Sequence, residues 1–206
     1  MVKLNQRSLK FMHIQPLVAR LSAEQYLSQE RQSETKSEYF DGEIFAMAGA
    51  SREHNQISAN LVRVLGNQLL DKPCSVYSSD MKVRIEKIRK YTYPDLVIAC
   101  QGERFEDEHR DVLLNPVVII EILSNSTEAY DRGRKFLHYQ LLDSLIVYLL
   151  VSQDTPRIEM FTRREDGTWL YAEFHGLDAI VKIESIECSL RLGDVYHKVN
   201  LPDSIG

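Results

Sequence analysis

The spacing of hydrophobic and polar positions divides the first part of the chain into helices, a hairpin and a strand. Apolar stretches on either side of Asp41-Gly42 predict a two-residue hairpin over residues 38–47. Residues 22–30 and 51–70 predict helices, because each range begins at a serine suited to capping and the second repeats apolar residues at helical spacing. Residues 76–86 alternate polar and apolar side chains, which predicts one half-exposed strand.

Three later stretches are apolar without alternation, at 93–100, 116–123 and 145–151. Such runs are typical of strands that are covered on both faces. Residues 125–142 predict a helix between the second and third runs, with Asn125 and Glu128 at capping-box spacing. A crossover helix between buried strands implies that the strands pair in parallel. The order helix, three strands, helix, strand therefore predicts an α/β fold, in which a mixed sheet is flanked by helices.

The chain has 206 residues, of which 44% are hydrophobic and 27% charged, and this fits one globular domain. We expect an N-terminal helical arm at 1–37, a core at 38–151, and a C-terminal β extension and tail at 152–206 with a turn at Asp166-Gly167. The longest apolar run, at 145–151, is far below the roughly 20 residues of a membrane helix. No signal-peptide core follows the basic N-terminus. We therefore expect a protein that is neither membrane-embedded nor secreted.

The cysteines suggest a reducing environment. Cys74, Cys100 and Cys188 are far apart in the sequence and form no Cys-x-x-Cys pair. This spacing argues against a disulfide framework and against a structural zinc site. We predict a cytoplasmic location.

Charge is distributed unevenly along the chain. The 25 basic and 30 acidic residues give a net charge of −5, which excludes a general basic coat for nucleic acid. The acidic stretch 101–111 predicts a solvated loop, whereas residues 82–90 contain five bases and one acid. Those bases are Lys82, Arg84, Lys87, Arg89 and Lys90. This basic stripe suits a phosphate backbone or, equally, a charged hairpin that keeps an edge strand soluble, and the sequence does not choose between them.

Two carboxylates in apolar strands carry the candidate chemistry. Glu121 interrupts the 116–123 run, where a lone buried carboxylate costs several kcal/mol unless it is paired, protonated or bound to a metal. Asp95 lies at the start of the preceding run, so on neighbouring strands the two can converge on one Mg²⁺ ion. Lys135 follows on the next helix, with Tyr139 one turn further, and a lysine there can orient water and stabilise a phosphate. The alternative is structural, with Glu121 neutralised by a lysine or arginine.

Together these motifs resemble the PD-(D/E)XK nuclease superfamily, and more closely its Uma-two branch of restriction-endonuclease-like proteins. The resemblance spans about residues 38–151 and rests on Tyr39-Phe40-Asp41-Gly42-Glu43-Ile44, Ser51, His54, Ser79-Asp80, Tyr93-Pro94-Asp95-Leu96, Glu121-Ile122-Leu123-Ser124, Asp131, Lys135 and Tyr139. The superfamily motif places a lysine where this chain has Leu123. The Uma-two pattern resembles branches in which that lysine has moved to the following helix, here Lys135.

The resemblance implies a restriction-endonuclease-like core and a Mg²⁺- or Mn²⁺-dependent endonuclease acting on DNA, with RNA as the alternative polymer. Asp95 and Glu121 would hold the metal, and Lys135 would position the attacking water. Glu43 would be an accessory acid or would only stabilise its hairpin, and Asp80 would be accessory or structural. Tyr139 is a further accessory candidate. A homodimer would suit two cuts on duplex DNA.

Other functions are consistent with the same motifs. The alternative is an inactive nuclease fold that binds nucleic acid or protein, in which the displaced lysine marks inactivity and Lys135 or an arginine neutralises Glu121. Hydrolysis of a small phosphate ester would leave the basic stripe without a purpose. His54 stands near a helix start, where it lines the site or bonds locally.

Overall fold

The computed structural model describes residues 20–124 and 128–201. Both predicted N-terminal helices, α1 (Ala23–Glu30) and α2 (Arg52–Leu69), are confirmed. Ser22 caps α1 in a capping box, and the Oγ atom of Ser51 accepts a hydrogen bond from the backbone N–H of His54 at the start of α2. Among the described residues, no helix is long and apolar enough to cross a membrane.

The strands of the described residues form two larger sheets and one hairpin. The strands are β1 (Ser37–Phe40), β2 (Glu43–Ala46), β3 (Cys74–Ser78), β4 (Lys82–Ile85), β5 (Lys90–Thr92), β6 (Leu96–Cys100), β7 (Val112–Leu113), β8 (Val118–Leu123), β9 (Val147–Ser152), β10 (Arg157–Arg163), β11 (Trp169–His175), β12 (Ile180–Ile183) and β13 (Cys188–Arg191). One sheet has the order β2-β1-β5-β4-β7, the other the order β11-β10-β9-β8-β6-β3, and β12 pairs with β13.

The parallel pair predicted from the crossover helix is present at the centre of the six-stranded sheet. Strands β8 and β9 pair in parallel, whereas β6 and β8 are antiparallel with Leu96 opposite Ile120. The chain between β8 and β9 contains three consecutive helical segments: α3 (Glu128–Tyr130), a π-helical segment (Asp131–Lys135) and α4 (Phe136–Tyr139). We call these three segments together the 128–139 helix. The predicted cap Asn125 lies outside the described residues. The mixed α/β architecture is thus confirmed.

Helices cover both faces of this sheet. Helix α2 packs Ile57 and Leu61 into one cluster with the strands, and the 128–139 helix packs Phe136 and Tyr139 into another. Double coverage explains why β6, β8 and β9 read as apolar runs without alternation. Burying both faces also makes any charged side chain on β8 a costly exception.

The strand predicted at 76–86 is two strands in two different sheets. A turn at residues 79–80 separates β3, at the edge of the six-stranded sheet, from β4 in the five-stranded sheet. Both halves keep a period of two, so the alternation cannot reveal the change of sheet. The predicted exposure is also wrong at Lys82, which is only 4% exposed.

The prediction of unpaired cysteines is wrong for two of the three. Cys74 and Cys100 form a disulfide between register partners on the antiparallel strands β3 and β6, and Cys188 is free and buried. Their 26-residue separation hides this contact, because the sheet rather than a short turn brings them together. The predicted cytoplasmic location, which rested on unpaired cysteines, loses that support.

The C-terminal β extension continues the fold in two ways. Strands β10 and β11 prolong the six-stranded sheet, and their connection contains the predicted turn, with Gly167 at φ +81°. The β12–β13 hairpin is followed by α5 (Leu192–Val195), and this unit packs against α2 in the same apolar cluster.

An ion-pair clamp fixes part of the acidic stretch 101–111, which was expected to be solvated. Arg31, at the end of α1, donates to Asp107 and Asp111, each at 2.7 Å. The buried Lys82 donates to the other oxygen of Asp111 at 2.8 Å. This clamp joins α1, the acidic loop and β4, so the loop acids Asp107 and Asp111 stabilise the fold instead of being solvated.

We expect Asp111→Asn to lower the free energy of unfolding by about 2 kcal/mol at neutral pH, since each hydrogen bond between charged groups contributes about 1.5–3 kcal/mol. Burial opposes ionisation of Asp111, but the bonds from Arg31 and Lys82 outweigh it and hold its pKa below the ordinary value. The stabilisation is therefore present above about pH 3.9 and is lost as the pH falls through the lower folded pKa. Urea unfolding of both proteins across this range measures it. Glu108→Gln, at an exposed acid of the same loop, is the control, and equal losses would contradict the clamp.

Candidate active site

The centre of the candidate site is a buried cluster around Glu121. Glu121 lies on β8 and is 3% exposed, while Lys135 and Tyr139 are one turn apart on the 128–139 helix, which packs over that strand. The Nζ atom of Lys135 is 2.9 Å from Oε1 of Glu121, and the Tyr139 hydroxyl donates to the same oxygen at 2.7 Å. Asp131, one turn before Lys135, lies 3.5 Å from its Nζ. The carboxylate that the sequence singled out is therefore neutralised by the predicted lysine.

Asp95 stands next to this cluster at the start of β6. The antiparallel register of β6 and β8 places it beside Glu121, and the backbone N–H of Ile122 donates to its Oδ2 at 2.7 Å. His54, in the first turn of α2, places Nε2 at 3.1 Å from Oδ1. The Asp95 side chain is 18% exposed and that of Glu121 only 4%, so Asp95 is the member that faces solvent.

The charges in the cluster shift one another's pKa values in a consistent direction. Burial raises the pKa of Glu121 to about 8; Lys135 opposes this shift, and the charge of Asp95 adds to it. Burial by itself would lower the pKa of Lys135, but Glu121, Glu38 and Asp131 outweigh it and raise this pKa well above the ordinary value. Lys135 is therefore a permanent cation at neutral pH, which can neutralise negative charge but cannot accept a proton.

Glu38 is the site residue that the sequence analysis missed. It lies on β1, accepts a hydrogen bond from Thr92 and sits 3.3 Å from the Nζ atom of the buried Lys90. Its charge acts on both Lys135 and Tyr139. Glu38 stands at the predicted start of a hairpin, where a solvated acid is ordinary, so the sequence carries no signal for it.

Two accessory candidates lie away from the cluster. Glu43 is exposed on the edge strand β2, and within the described residues no ion pair or hydrogen bond links it to Glu121 or Lys135. Asp80 lies in the turn between β3 and β4, with 81% of its side chain exposed and Lys36 at 2.5 Å. The structure therefore favours the alternatives outside the site, in which Glu43 stabilises its hairpin and Asp80 is structural.

The basic stripe does not present free positive charge. Every base in it forms an ion pair with a carboxylate: Lys82 with Asp111, Arg84 with Glu106, Lys87 with Asp143, Arg89 with Asp41, and Lys90 with Glu38. Lys82 and Lys90 are buried as well, which corrects their assignment as phosphate contacts. Between the two alternatives that the sequence left open, these pairs favour the charged hairpin.

The donor set suits one kind of metal. Asp95 and Glu121 offer hard carboxylate oxygens, and Mg²⁺ is commonly held by one or two carboxylates together with water and substrate phosphates. Within residues 20–124 and 128–201, no three acidic, histidine or cysteine side chains are grouped so as to enclose a metal. The residues therefore fit Mg²⁺ or Mn²⁺ bound in the company of a phosphate substrate, and they do not fit a structural ion held by protein alone.

Known proteins resemble this chain in sequence and in fold. The sequence profile of Uma2, the Uma-two family, described as "Putative restriction endonuclease", matches residues 23–193. Two proteins of Synechocystis sp. (strain ATCC 27184 / PCC 6803 / Kazusa) are similar. "Uncharacterized protein slr1290" is 36% identical over 177 residues, which cover 86% of this chain and 92% of that protein. "Uncharacterized protein sll1609" is 35% identical over 162 residues, which cover 79% of this chain and 92% of that protein. The crystal structure of a "putative nuclease belonging to DUF820" from Anabaena variabilis ATCC 29413 matches with a TM-score of 0.66 at 19% identity, covering 80% of this chain and 91% of that one.

Proposed function

This chain belongs to the Uma2 family of restriction-endonuclease-like proteins, and from this we propose that it is an endonuclease that hydrolyses phosphodiester bonds of DNA with the help of Mg²⁺ or Mn²⁺. The observation that carries the proposal is the meeting of Asp95, Glu121 and Lys135 at one place, from three separate elements. A structural lysine–glutamate pair would not need a second carboxylate beside it. The charge of Asp95 helps to raise the pKa of Glu121, which is a cost that a divalent cation removes.

The protein groups have distinct tasks in this proposal. Asp95 and Glu121 would hold the cation. The hydrogen bond from the Tyr139 hydroxyl orients Glu121, and the contact of His54 Nε2 with Oδ1 orients Asp95. The cation would polarise the scissile phosphate and lower the pKa of a bound water. Lys135, which remains charged, donates hydrogen bonds to the attacking water or to a phosphate oxygen and stabilises the negative charge that develops there. Hydrolysis adds the water oxygen to phosphorus and breaks one P–O bond, leaving a phosphate monoester and an alcohol.

A second candidate is supported by the same pair of residues. Because Lys135 and Tyr139 already satisfy one oxygen of Glu121, the cluster is also stable as an inactive nuclease fold that binds nucleic acid or protein. The two candidates differ over Asp95. In an inactive fold Asp95 serves only its contacts with the backbone N–H of Ile122 and with His54, whereas a metal site also requires its carboxylate as a ligand.

We expect the purified protein to cleave DNA in the presence of Mg²⁺ or Mn²⁺ and to be inactive in EDTA. Incubation with duplex DNA, single-stranded DNA, RNA and a small phosphodiester, analysed by gel and by absorbance, identifies the substrate. Calorimetry should detect Mn²⁺ binding that becomes tighter when uncleaved DNA is added, since two carboxylates alone make a weak site.

The outcomes separate the alternatives. Cleavage of RNA alone would replace DNA as the substrate, and turnover of the small ester without any polymer would indicate a phosphoesterase. If the protein binds no metal and cleaves none of these substrates, the proposal is overturned and the inactive fold remains.

A further inference from the structure

A polar groove runs along α2 on the side that faces the C-terminal segment. One wall is formed by Gln56, Asn60 and Arg63, which share a face of the helix, and the other by His197 and Lys198 after α5. The groove has a volume of about 520 Å³. It is separate from the Glu121 cluster, which lies on the opposite face of the six-stranded sheet from α2.

The groove carries cations that no carboxylate of the described residues neutralises. Within the described residues, neither Arg63 nor Lys198 has a carboxylate within 4 Å, and the single acid that lines the groove, Asp194, has no base as partner. This contrasts with the basic stripe, where all five bases are paired. Unpaired cations keep their full attraction for an external anion, whereas a paired cation must first lose its carboxylate.

The groove is held in shape before any ligand arrives. The side-chain amide of Asn60 donates to the backbone oxygens of Val195 and His197 at 2.9 and 2.8 Å, and Arg52 donates to the backbone oxygen of Lys198 at 3.4 Å. These bonds fasten the 195–198 segment to α2. The backbone that carries Lys198 therefore loses little conformational freedom when a ligand binds, which favours affinity.

Helix α2 connects the groove to the candidate active site. Its first turn holds His54, which contacts Asp95, and Arg52 in the same turn marks the near end of the groove. Arg63 stands eleven residues further, about 17 Å at 1.5 Å per residue. This length corresponds to about five base steps of a nucleic-acid strand at 3.4 Å each.

We propose that this groove binds the phosphate backbone of the nucleic-acid substrate beyond the cleavage site, with Arg63 and Lys198 as the phosphate contacts. The inference rests on the proposed function for the identity of the anion. It transfers the phosphate-binding role from the basic stripe, whose charges are internally paired, to a surface whose charges are not.

The test compares two matched double variants, Arg63→Gln with Lys198→Gln, and Lys87→Gln with Arg89→Gln. Each removes two exposed positive charges, and each alters one residue at positive φ, Lys198 at +61° or Arg89 at +50°. Binding of a short labelled DNA duplex is measured by fluorescence anisotropy in EDTA, at salt concentrations between about 50 and 200 mM. Binding without divalent metal is independent of cleavage.

We expect the groove variant to bind DNA at least about tenfold more weakly at low salt and to reduce the slope of log K against log salt by about 2, since each lost phosphate contact reduces it by about 1. The stripe variant should bind like the wild type. Equal weakening of both variants, or weakening of the stripe variant alone, would overturn the assignment. Polyglutamate serves as a second anionic probe. If the groove variant loses as much affinity for polyglutamate as for DNA, the assignment is also overturned, because the groove would then be a site for acidic protein. If the wild type does not cleave DNA but binds it, and the groove variant loses this binding, the groove assignment is supported and the nuclease proposal is rejected.

Discussion

Cleavage by the Glu121→Gln variant is expected to fall by roughly 10³-fold or more, while the fold remains that of the wild type. Glutamine keeps the shape of the side chain, and its carbonyl oxygen can still accept the hydrogen bonds from Lys135 and Tyr139. It removes the negative charge that the proposed cation requires. Because burial raises the pKa of Glu121 to about 8, the neutral form resembles a state that the metal-free protein already populates at neutral pH.

The measurements for this variant separate chemistry from stability. Single-turnover cleavage reports the loss of activity, calorimetry with Mn²⁺ reports the loss of metal affinity, and thermal unfolding in EDTA reports stability. Glu159→Gln is the matched control, since Glu159, on β10, is also a buried glutamate, 4% exposed, but its partner is Arg132 and not Lys135. We expect the control to cleave normally. Wild-type cleavage by Glu121→Gln would reject Glu121 as a metal ligand, whatever its stability.

Lys135→Met is expected to abolish cleavage and also to lower the free energy of unfolding by about 3–5 kcal/mol, because it leaves buried carboxylates without their cation. Glu121 and Asp131 both lie within 3.5 Å of the Lys135 ammonium. The methylene part of the side chain is retained by methionine, so most of the packing remains. The loss measures the electrostatic role of the lysine rather than a cavity.

The loss of stability should depend on pH in a defined direction. Without Lys135, the pKa of Glu121 rises further, because the main opposing cation is absent. A carboxyl group whose folded pKa lies above its unfolded value of about 4.3 destabilises the fold increasingly as the pH rises between those two values. The wild type itself has a folded pKa of about 8 at Glu121, so both proteins lose stability in parallel up to that pH. The deficit relative to wild type that arises at Glu121 should therefore be constant between about pH 4.3 and pH 8 and should grow above pH 8, where the folded wild type ionises Glu121 and the folded variant does not. Urea unfolding in EDTA at pH values on both sides of pH 8 measures this deficit.

A double variant tests whether the two residues act as a pair. If Lys135 stabilises the protein by neutralising Glu121, the double variant Lys135→Met with Glu121→Gln should lose less unfolding free energy than the two single variants lose together. In the double variant neither charge of the pair remains unpaired. Additive losses, or a deficit that does not change with pH, would contradict the pair and show that Lys135 contributes through packing.

Local patterns predicted much of the fold because their causes are local. Serine caps, the Asp41-Gly42 turn and helical spacing depend on residues a few positions apart, and the structure confirms all three. The crossover helix and its parallel strands also followed from sequence, since few topologies connect two buried strands through a helix. The prominence of Glu121 followed from the same reasoning, because a carboxylate in a doubly covered strand is conspicuous in any sequence.

Contacts between distant residues had no such local cause. The disulfide depends on the register of β3 against β6, and the division of 76–86 between two sheets leaves the alternating pattern intact. Glu38 enters the cluster only because β1 packs beside the 128–139 helix, where its charge reaches Lys135. The local sequence around each of these residues is the same as that expected around a solvated acid or an unpaired cysteine.

The sequence by itself therefore determined the α/β core, the two strands that carry Asp95 and Glu121, and the lysine that accompanies them. The tertiary structure alone decided which charges are available. It paired every base of the stripe with a carboxylate, whereas Arg63 on α2 and Lys198 across the groove have no carboxylate partner among residues 20–124 and 128–201. The physical reason is that burial and periodicity are properties of a segment, whereas neutralisation of a charge depends on which distant segment lies within about 4 Å of it.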